Sequence, residues 1–518
     1  MSSISYLTGH MSPPIDELLA RGTRAEAHRP WPRVRVDVET WRLAGERLAA
    51  GRLTPLGLWG EADVVHLAVL DEERGVVAVL SLDCPLGRYP SLGARCPALI
   101  RLERAIRDLY GLEAEGAIDV RQWLDHGRWG LRTPLAKDAV ADGPHAKSRD
   151  YPFLPTEGEG LHQIPVGPVH AGIIEPGHFR FTASGEAVVR LEERLGYVHK
   201  GIESLLVGAD LEQAARLVGH VSGDSTVAYG VAFARAVEAA LAWDVPPRAV
   251  WLRALFAELE RIANHIGDFG AICNDASFAI MHANCAILRE RVLRANGDCF
   301  GHRLLMDRVV PGGTTVDLTD QGRKSLEELV RVLRPRFREL VDVYDNSPSM
   351  LERSFHTGIL DPDLASRFGA GGFVGRASLR AFDARRSVPY APYDTLSFDV
   401  PVLQSGDVNA RVWVRIKEVE ESFGLVEQIL HGLPAGPVRS SASPPSGPAE
   451  GIALAEGFRG DVLAWVRFGA DGKIARCHLR DPSWFQWPLL EAAIEGNIVA
   501  DFPLCNKSFN CSYSGHDL

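Results

Sequence analysis

PPRAVWLRALFAELERIANHIGDFG, residues 246–270, decides the fold class. Two prolines open it, at positions where a helix has no intrahelical use for its first N–H groups. Trp251, Leu252, Leu255 and Phe256 then recur at helical spacing. Glu258, Arg261, His265 and Asp268 form a second stripe at spacings of three and four, so they share one face. The spacing predicts a long helix, with Glu258, Arg261 and Asp268 read as a structural ion network.

The same periodicity extends outward from this stretch. Residues 186–208, 210–243, 277–297, 321–344 and 405–432 are all read as helices, together with 246–270, in a bundle-like core. Toward the N-terminus the period changes. Residues 32–51 pair a strand-like start with an amphipathic helix. Residues 53–61, 63–75 and 76–83 read as strands, with a turn at Glu72–Gly75. CPALIRLERAIRDLYG, 96–111, is a helix with a glycine stop. Residues 133–165 lack apolar periodicity and read as a linker, and 434–450, rich in Pro and Ser, as a flexible loop. Residues 451–481 alternate like a hairpin turning at Asp471–Gly472. The expected fold class is α+β: a small N-terminal α/β domain (30–132), the linker (133–165), and a large domain (166–518) with a central long-helix bundle and peripheral β-hairpins.

Composition narrows the function. The 518 residues are 46% hydrophobic and 24% charged, with a net charge of −11, which argues against a nucleic-acid partner. None of the eight cysteines forms a CxxC pair, which disfavours a self-contained zinc ribbon or ferredoxin-type cluster. The N-terminal residues lack the apolar core of a signal peptide, and the longest apolar runs are too short to span a bilayer. The glycine-rich stretches at 157–160 and 368–375 lack the frame of a dinucleotide loop. HVSGDST (220–226) and SYSGHDL (512–518) place serines near His and Asp, but neither is a nucleophile elbow between strand and helix.

Two separated patches carry a resemblance. EPGHFRFTASGEAVVRLEERLGYVHKGIESLL (175–206), followed by HVSGDST, resembles the large subunit of group 4 nickel–iron hydrogenases and the homologous quinone-site subunit of respiratory complex I. EGFRGDVLAWV (456–466) and RDPSWFQWP (480–488) are similar to that family's C-terminal stretches. RYPSLGARCPALIRLERAIRDLYG (88–111) resembles the smaller accessory subunit of complex I, fused ahead as in formate-hydrogenlyase-type large subunits. The large domain is therefore expected to be hydrogenase-like.

Where the family's two CxxC pairs hold nickel and iron, this chain has Ser222, Ser225, Ser483 and Gln486. Neutral hydroxyls are poor nickel ligands, so no metal and no cofactor bound by this chain itself is expected. The position that closes the family's second metal motif also lacks its usual His or Arg, which implies that the C-terminal tail is retained.

The resemblance supplies candidate site residues. Glu203 matches a proton-transfer glutamate, expected to have a raised pKa on an apolar helix face, against the plainer reading of an ion pair with Lys200. His170 and His178 match the loop of the quinone-site histidine, with the choice between them open. Asp275 matches the aspartate paired with that histidine, and His265 is kept as a candidate beside it. Arg459 and Asp481 match the pair overhanging the metal, expected to persist as a buried ion pair.

The implied function is that of a peripheral-arm subunit of a membrane-bound oxidoreductase related to complex I and energy-converting hydrogenases. Electron transfer would be coupled there to proton translocation, with quinone- or NAD(P)H-linked activity, and any contact with NAD made through the wider complex. The implied partners are a small iron–sulfur subunit and antiporter-like membrane subunits, at the cytoplasmic face of the inner or plasma membrane. A quinone is the acceptor the resemblance suggests. The alternative is a non-redox scaffold or a coupling element of an ion or small-molecule transport complex.

Overall fold

The structure, a computed structural model, describes residues 13–141, 150–172, 174–442 and 446–518. Its N-terminal unit is a five-stranded sheet. Thr23–Arg24, β1 (Arg33–Val36), β4 (Val76–Asp83), β3 (Val64–Asp71) and β2 (Thr54–Gly60) lie in that spatial order. Within this sheet only the β1–β4 pairing, Arg33 opposite Val79, is parallel. Helix α1 (Val38–Ala49) starts where the Asp37 carboxylate accepts the Thr40 N–H, and α2 (Ile100–Tyr110) ends on Gly111 at φ +72°. Strands β2 to β4 are buried along nearly their whole length, because the second sheet of the molecule covers one face.

That second sheet stitches the two halves of the chain together. β8 (Ala449–Gly457), β9 (Gly460–Phe468) and β10 (Ile474–Arg480) run antiparallel, and His28–Arg29 joins the edge beside β8. Trp59 of β2 meets Trp465 of β9 at 5.5 Å between ring centroids. A third sheet holds β5 (Leu161–Val166), β6 (His178–Ser184) and β7 (Ala187–Arg194).

The helical core contains α3 (Ile202–Leu206), α4 (Leu211–Gly219), α5 (Thr226–Leu241), α6 (Pro247–Asp275), α7 (Ala279–Phe300), α8 (Asp320–Asp345) and α9 (Val408–Gly432). α6 buries Leu252, Leu255, Phe256, Leu259, Ile262, Ile266 and Phe269, and α9 packs along it with Val412, Val419, Phe423 and Val426 buried. Such a stripe holds the pair by area removed from water, about 1.5–3 kcal/mol for each large side chain. α10 (Ser483–Ala493) and α11 (Phe502–Phe509) close the molecule.

Three expectations are corrected. Residues 187–194 are a strand. Val188 is buried and Val189 exposed, as alternation requires, but Glu192, Glu193 and Arg194 are also buried, paired or bonded to groups of the N-terminal unit. These inward charges hide the period of two. Residues 210–243 are two helices, broken at His220–Ser225 by a short 3-10 turn, Gly223–Ser225. The linker is not wholly without structure: β5 lies at its end, and Leu131–Arg132 pairs with Val140–Ala141. Of that segment, residues 142–149 lie outside the described residues.

Candidate functional site

The break between α4 and α5 carries Ser222, Asp224 and Ser225 toward the turn between β8 and β9, which carries Arg459. The approach of that turn depends on glycines. Gly372, at φ +61°, leaves only 2.0 Å between a would-be Cβ and the Arg459 carbonyl oxygen, and Gly460, at φ +131°, lies against the Gly371–Gly372 backbone. A side chain at 372 would push the turn away. The glycine run at 368–375 thus serves close backbone packing.

Arg459 lands on Asp224 in a two-pronged ion pair. Its Nη1 donates to Oδ1 at 3.0 Å and its Nη2 to Oδ2 at 2.6 Å. Nη1 also donates to Ser225 Oγ at 3.0 Å, and Nε to the Asn510 carbonyl at 2.6 Å. The Ser222 hydroxyl donates to Asp224 Oδ1 at 2.6 Å and that of Ser225 to the same oxygen at 3.3 Å. Burial alone would raise the Asp224 pKa, but Arg459 and the two hydroxyls hold it well below the usual carboxylate range. The Asp224 side chain remains 33% exposed against 7% for Arg459, so solvent screens one end of the pair.

Gln486 and Ser483 complete the cluster from α10. Gln486 Nε2 donates to the Arg459 carbonyl at 2.8 Å and the Gly371 carbonyl at 3.1 Å. Ser483 Oγ accepts the Ser512 N–H at 2.8 Å. Ser225 and Gln486 thus bond Arg459 directly, Ser222 reaches it through Asp224, and Ser483 ties the start of α10 to residues 511–518, all buried. His516 stacks on Trp484 at 4.1 Å and takes the Trp123 N–H, while the Asp517 carboxylate accepts the Gly196 N–H at 2.8 Å. Asp481 does not pair with Arg459 directly: it accepts the Tyr229 hydroxyl at 2.7 Å and the Ser483 N–H at 2.8 Å.

The nickel–iron group of the resembled family does not fit this donor set. Two thiolate pairs have become three neutral hydroxyls and an amide, which are weak ligands for soft metals, and a guanidinium sits among them. Among the described residues, no three His, Cys, Asp or Glu side chains are placed to hold a metal ion.

Glu203 on α3 is buried, and its partners are Arg476 at 2.7 Å and His478 at 2.6 Å on β10. Lys200 instead donates to the Val221 carbonyl. Burial would raise the Glu203 pKa, but the Arg476 charge and the hydrogen bonds from Arg476 and His478 pull it down to about 2, opposite to the shift expected of a proton relay.

His178 opens β6 with both ring nitrogens engaged: Nδ1 bonds the Gly167 carbonyl at 3.2 Å and Nε2 lies 3.2 Å from the Arg180 Nε–H. His170 Nε2 bonds the Gly177 carbonyl at 2.7 Å. In the neutral form neither ring keeps an N–H to offer a quinone carbonyl. Asp275 ends α6, where burial raises its pKa and its neighbours are Lys507 and His282, not His170 or His178.

His265 is fully buried and donates to Glu418 at 2.8 Å. Glu418 also takes Arg376 at 2.5 Å and Arg261 at 3.3 Å. Glu258 takes Arg385 at 3.0 Å, and Asp268 takes Arg415 at 3.4 Å. The stripe read from the sequence is thus the inner wall of a paired network between α6 and α9. Asn510 connects it to Arg459 by donating to Asp268 at 2.8 Å. Sequence reasoning missed Asp224; the available signal was a lone acid between the two serines and a lone arginine in GFRG.

Known proteins share this arrangement of domains. Residues 278–450 match the family described as respiratory-chain NADH dehydrogenase, 49 Kd subunit, and residues 61–145 the corresponding 30 Kd subunit. Formate hydrogenlyase subunit 5 of Escherichia coli is 31% identical over 460 residues, covering 87% of this chain and 81% of the relative. Hydrogenase-4 component G of the same organism is 31% identical, covering 86% and 79%. The C/D subunit of NADH-quinone oxidoreductase from Bacteroides thetaiotaomicron is 27% identical, covering 89% and 90%. A chain of the membrane-bound sulfane sulfur reductase, an archaeal respiratory membrane complex, superposes with a TM-score of 0.66 at 26% identity, covering 70% of this chain and 99% of that one. No described helix is long and apolar enough to cross a membrane.

Proposed function

From the premise that the chain belongs to the family of fused large subunits shared by formate hydrogenlyase, hydrogenase-4 and NADH-quinone oxidoreductase, we propose that it is a peripheral subunit of a membrane-bound respiratory complex that has given up hydrogen chemistry. The observation that carries the reading is the Asp224–Arg459 pair, seated among the four positions where the resembled family has thiolates. In this reading a small iron–sulfur subunit docks near Ser222, Ser225 and Ser483 and delivers electrons, antiporter-like membrane subunits move the ion, and the chain sits on the cytoplasmic face of the membrane. The unit boundaries that go with it are 30–132, 133–165 and 166–518.

The chain's own contribution is to hold charge. The Asp224–Arg459 pair, Asn510, Asp268, Arg415 and the Glu418 cluster run from the docking site into the α6–α9 core. A change in charge at the partner's cluster acts on this paired network, whose inner members, Asp268–Arg415 and the Glu418 cluster, are buried and poorly screened. No quinone step is routed through His170 or His178, whose N–H groups are already spent, nor a proton through Glu203, held ionised by Arg476 and His478.

The test is purification of the tagged chain from detergent-solubilised native membranes. The reading expects one iron–sulfur subunit per chain, a reducible cluster signal by electron paramagnetic resonance, and no hydrogen evolution from reduced methyl viologen. Recovery without iron, or hydrogen evolution, would count against it.

A further inference from the structure

Where the N-terminal unit meets β6 and β7, a cavity of about 390 Å³ opens that the redox reading does not use. It falls within the roughly 300–1,000 Å³ of small-molecule sites, whereas the cavity beside Arg235 and Tyr390 holds only about 170 Å³. Its walls include Tyr151 and Phe153, whose rings carry the guanidinium groups of Arg194 at 4.5 Å and Arg180 at 4.4 Å, and Tyr197, which is exposed.

The electrostatics of the lining are unusual for a chain of net charge −11. Arg194, 3% exposed, has no carboxylate partner among the described residues. Its terminal nitrogens donate to the carbonyls of Gln122, Trp123 and Asp125, and its Nε–H has no acceptor among the described residues. The arginines packed around it are paired: Arg101 with Glu193 and Glu491, Arg104 with Asp119, Arg121 with Asp119 and Glu192. Arg194 is therefore a buried cation without a carboxylate, held by carbonyl dipoles and by the face of Tyr151 at 4.5 Å, an arrangement that burial disfavours and an anion would complete. Arg128 lines the same cavity, exposed and without an ion pair among the described residues. With Arg121 already paired, the lining sets Arg128 and Arg194 against Asp125 and Asp150, and Asp125 already accepts the Gly127 N–H.

We propose that this cavity binds an anion carrying a flat ring, of mononucleotide size, with its phosphate between Arg194 and Arg128 and its ring against the exposed Tyr197. Phosphate suits the pair because a buried guanidinium supplies a fixed donor and an exposed one adds attraction from solvent. Stacking on tyrosine is indifferent to which base is present, so the site selects ring plus phosphate. This holds independently of the redox reading.

Calorimetry on the full chain in its purified complex decides it, with adenosine monophosphate, adenosine and inorganic phosphate as the three probes. Saturable binding of the nucleotide is expected, at least tenfold tighter than either fragment and weakening with added salt. Arg128→Glu, at an exposed position where folding is unaffected, should weaken it at least tenfold; Tyr197→Leu should bring the nucleotide close to phosphate alone. No saturable nucleotide binding, equal binding of phosphate, or indifference to Arg128→Glu would each overturn the proposal.

Discussion

Replacing Asp224 with asparagine removes the charge that faces Arg459 while leaving the shape nearly intact. Arg459 is then a cation with 7% of its side chain exposed, left with the Asn510 carbonyl, the Ser225 hydroxyl and the face of Phe458 at 4.5 Å. Stranding one member of a fully buried pair costs about 3–5 kcal/mol. Asp224 keeps 33% of its side chain in water, so the expected loss is nearer 2–3 kcal/mol. Arg459→Met in the Asp224→Asn background then removes the stranded charge and should recover about 1–2 kcal/mol. The assay is urea unfolding followed by tryptophan fluorescence on wild type, both single variants and the double variant. The reasoning fails if Asp224→Asn costs less than about 0.5 kcal/mol, the scale of a surface pair, or if the double variant is less stable than Asp224→Asn alone.

Three further outcomes follow from the same geometry. Glu203 has its pKa drawn down from 4.5 to about 2, so its pairing stabilises the fold above pH 4.5 and that stability is lost as pH falls toward 2. Glu203→Gln should therefore cost about 3 kcal/mol at pH 7, and the gap from wild type should close across that acid window in denaturation measured against pH. Gly372→Ala forces a side chain into left-handed backbone, about 1–2 kcal/mol, and sets its Cβ 2.0 Å from the Arg459 carbonyl; a lowered unfolding midpoint with a displaced 458–460 turn is expected. Ser483→Ala leaves the buried Ser512 N–H without its acceptor, costing about 1–3 kcal/mol and raising hydrogen exchange at Ser512.

Much of this fold is legible in the sequence because its long elements are strictly periodic. α6 and α9 repeat apolar residues at helical spacing over roughly seven turns, and β2 to β4 are continuous apolar runs between turn residues. β7 was not legible, because Glu192, Glu193 and Arg194 point into the protein, and only the N-terminal unit, distant in sequence, explains why. The break at His220–Ser225 was hidden by apolar helices on both sides.

At the site, the resemblance located Ser222, Ser225, Ser483, Gln486 and Arg459, and the structure gathers them. The partner of Arg459 was not legible: Asp481, the partner the resemblance suggested, turned to Tyr229, and Asp224, 235 residues away, took the guanidinium. Long-range pairing of buried charges has no local sequence period. For the same reason the partners of Glu203 lay on β10 and not at Lys200.

The most direct test of the central claim is the nickel and iron content per copy of this chain in the complex purified from its native host. The account predicts no nickel, and iron in the amount the partner's clusters require. One nickel per chain would contradict it, since a metal centre would then occupy the ground assigned here to Asp224 and Arg459.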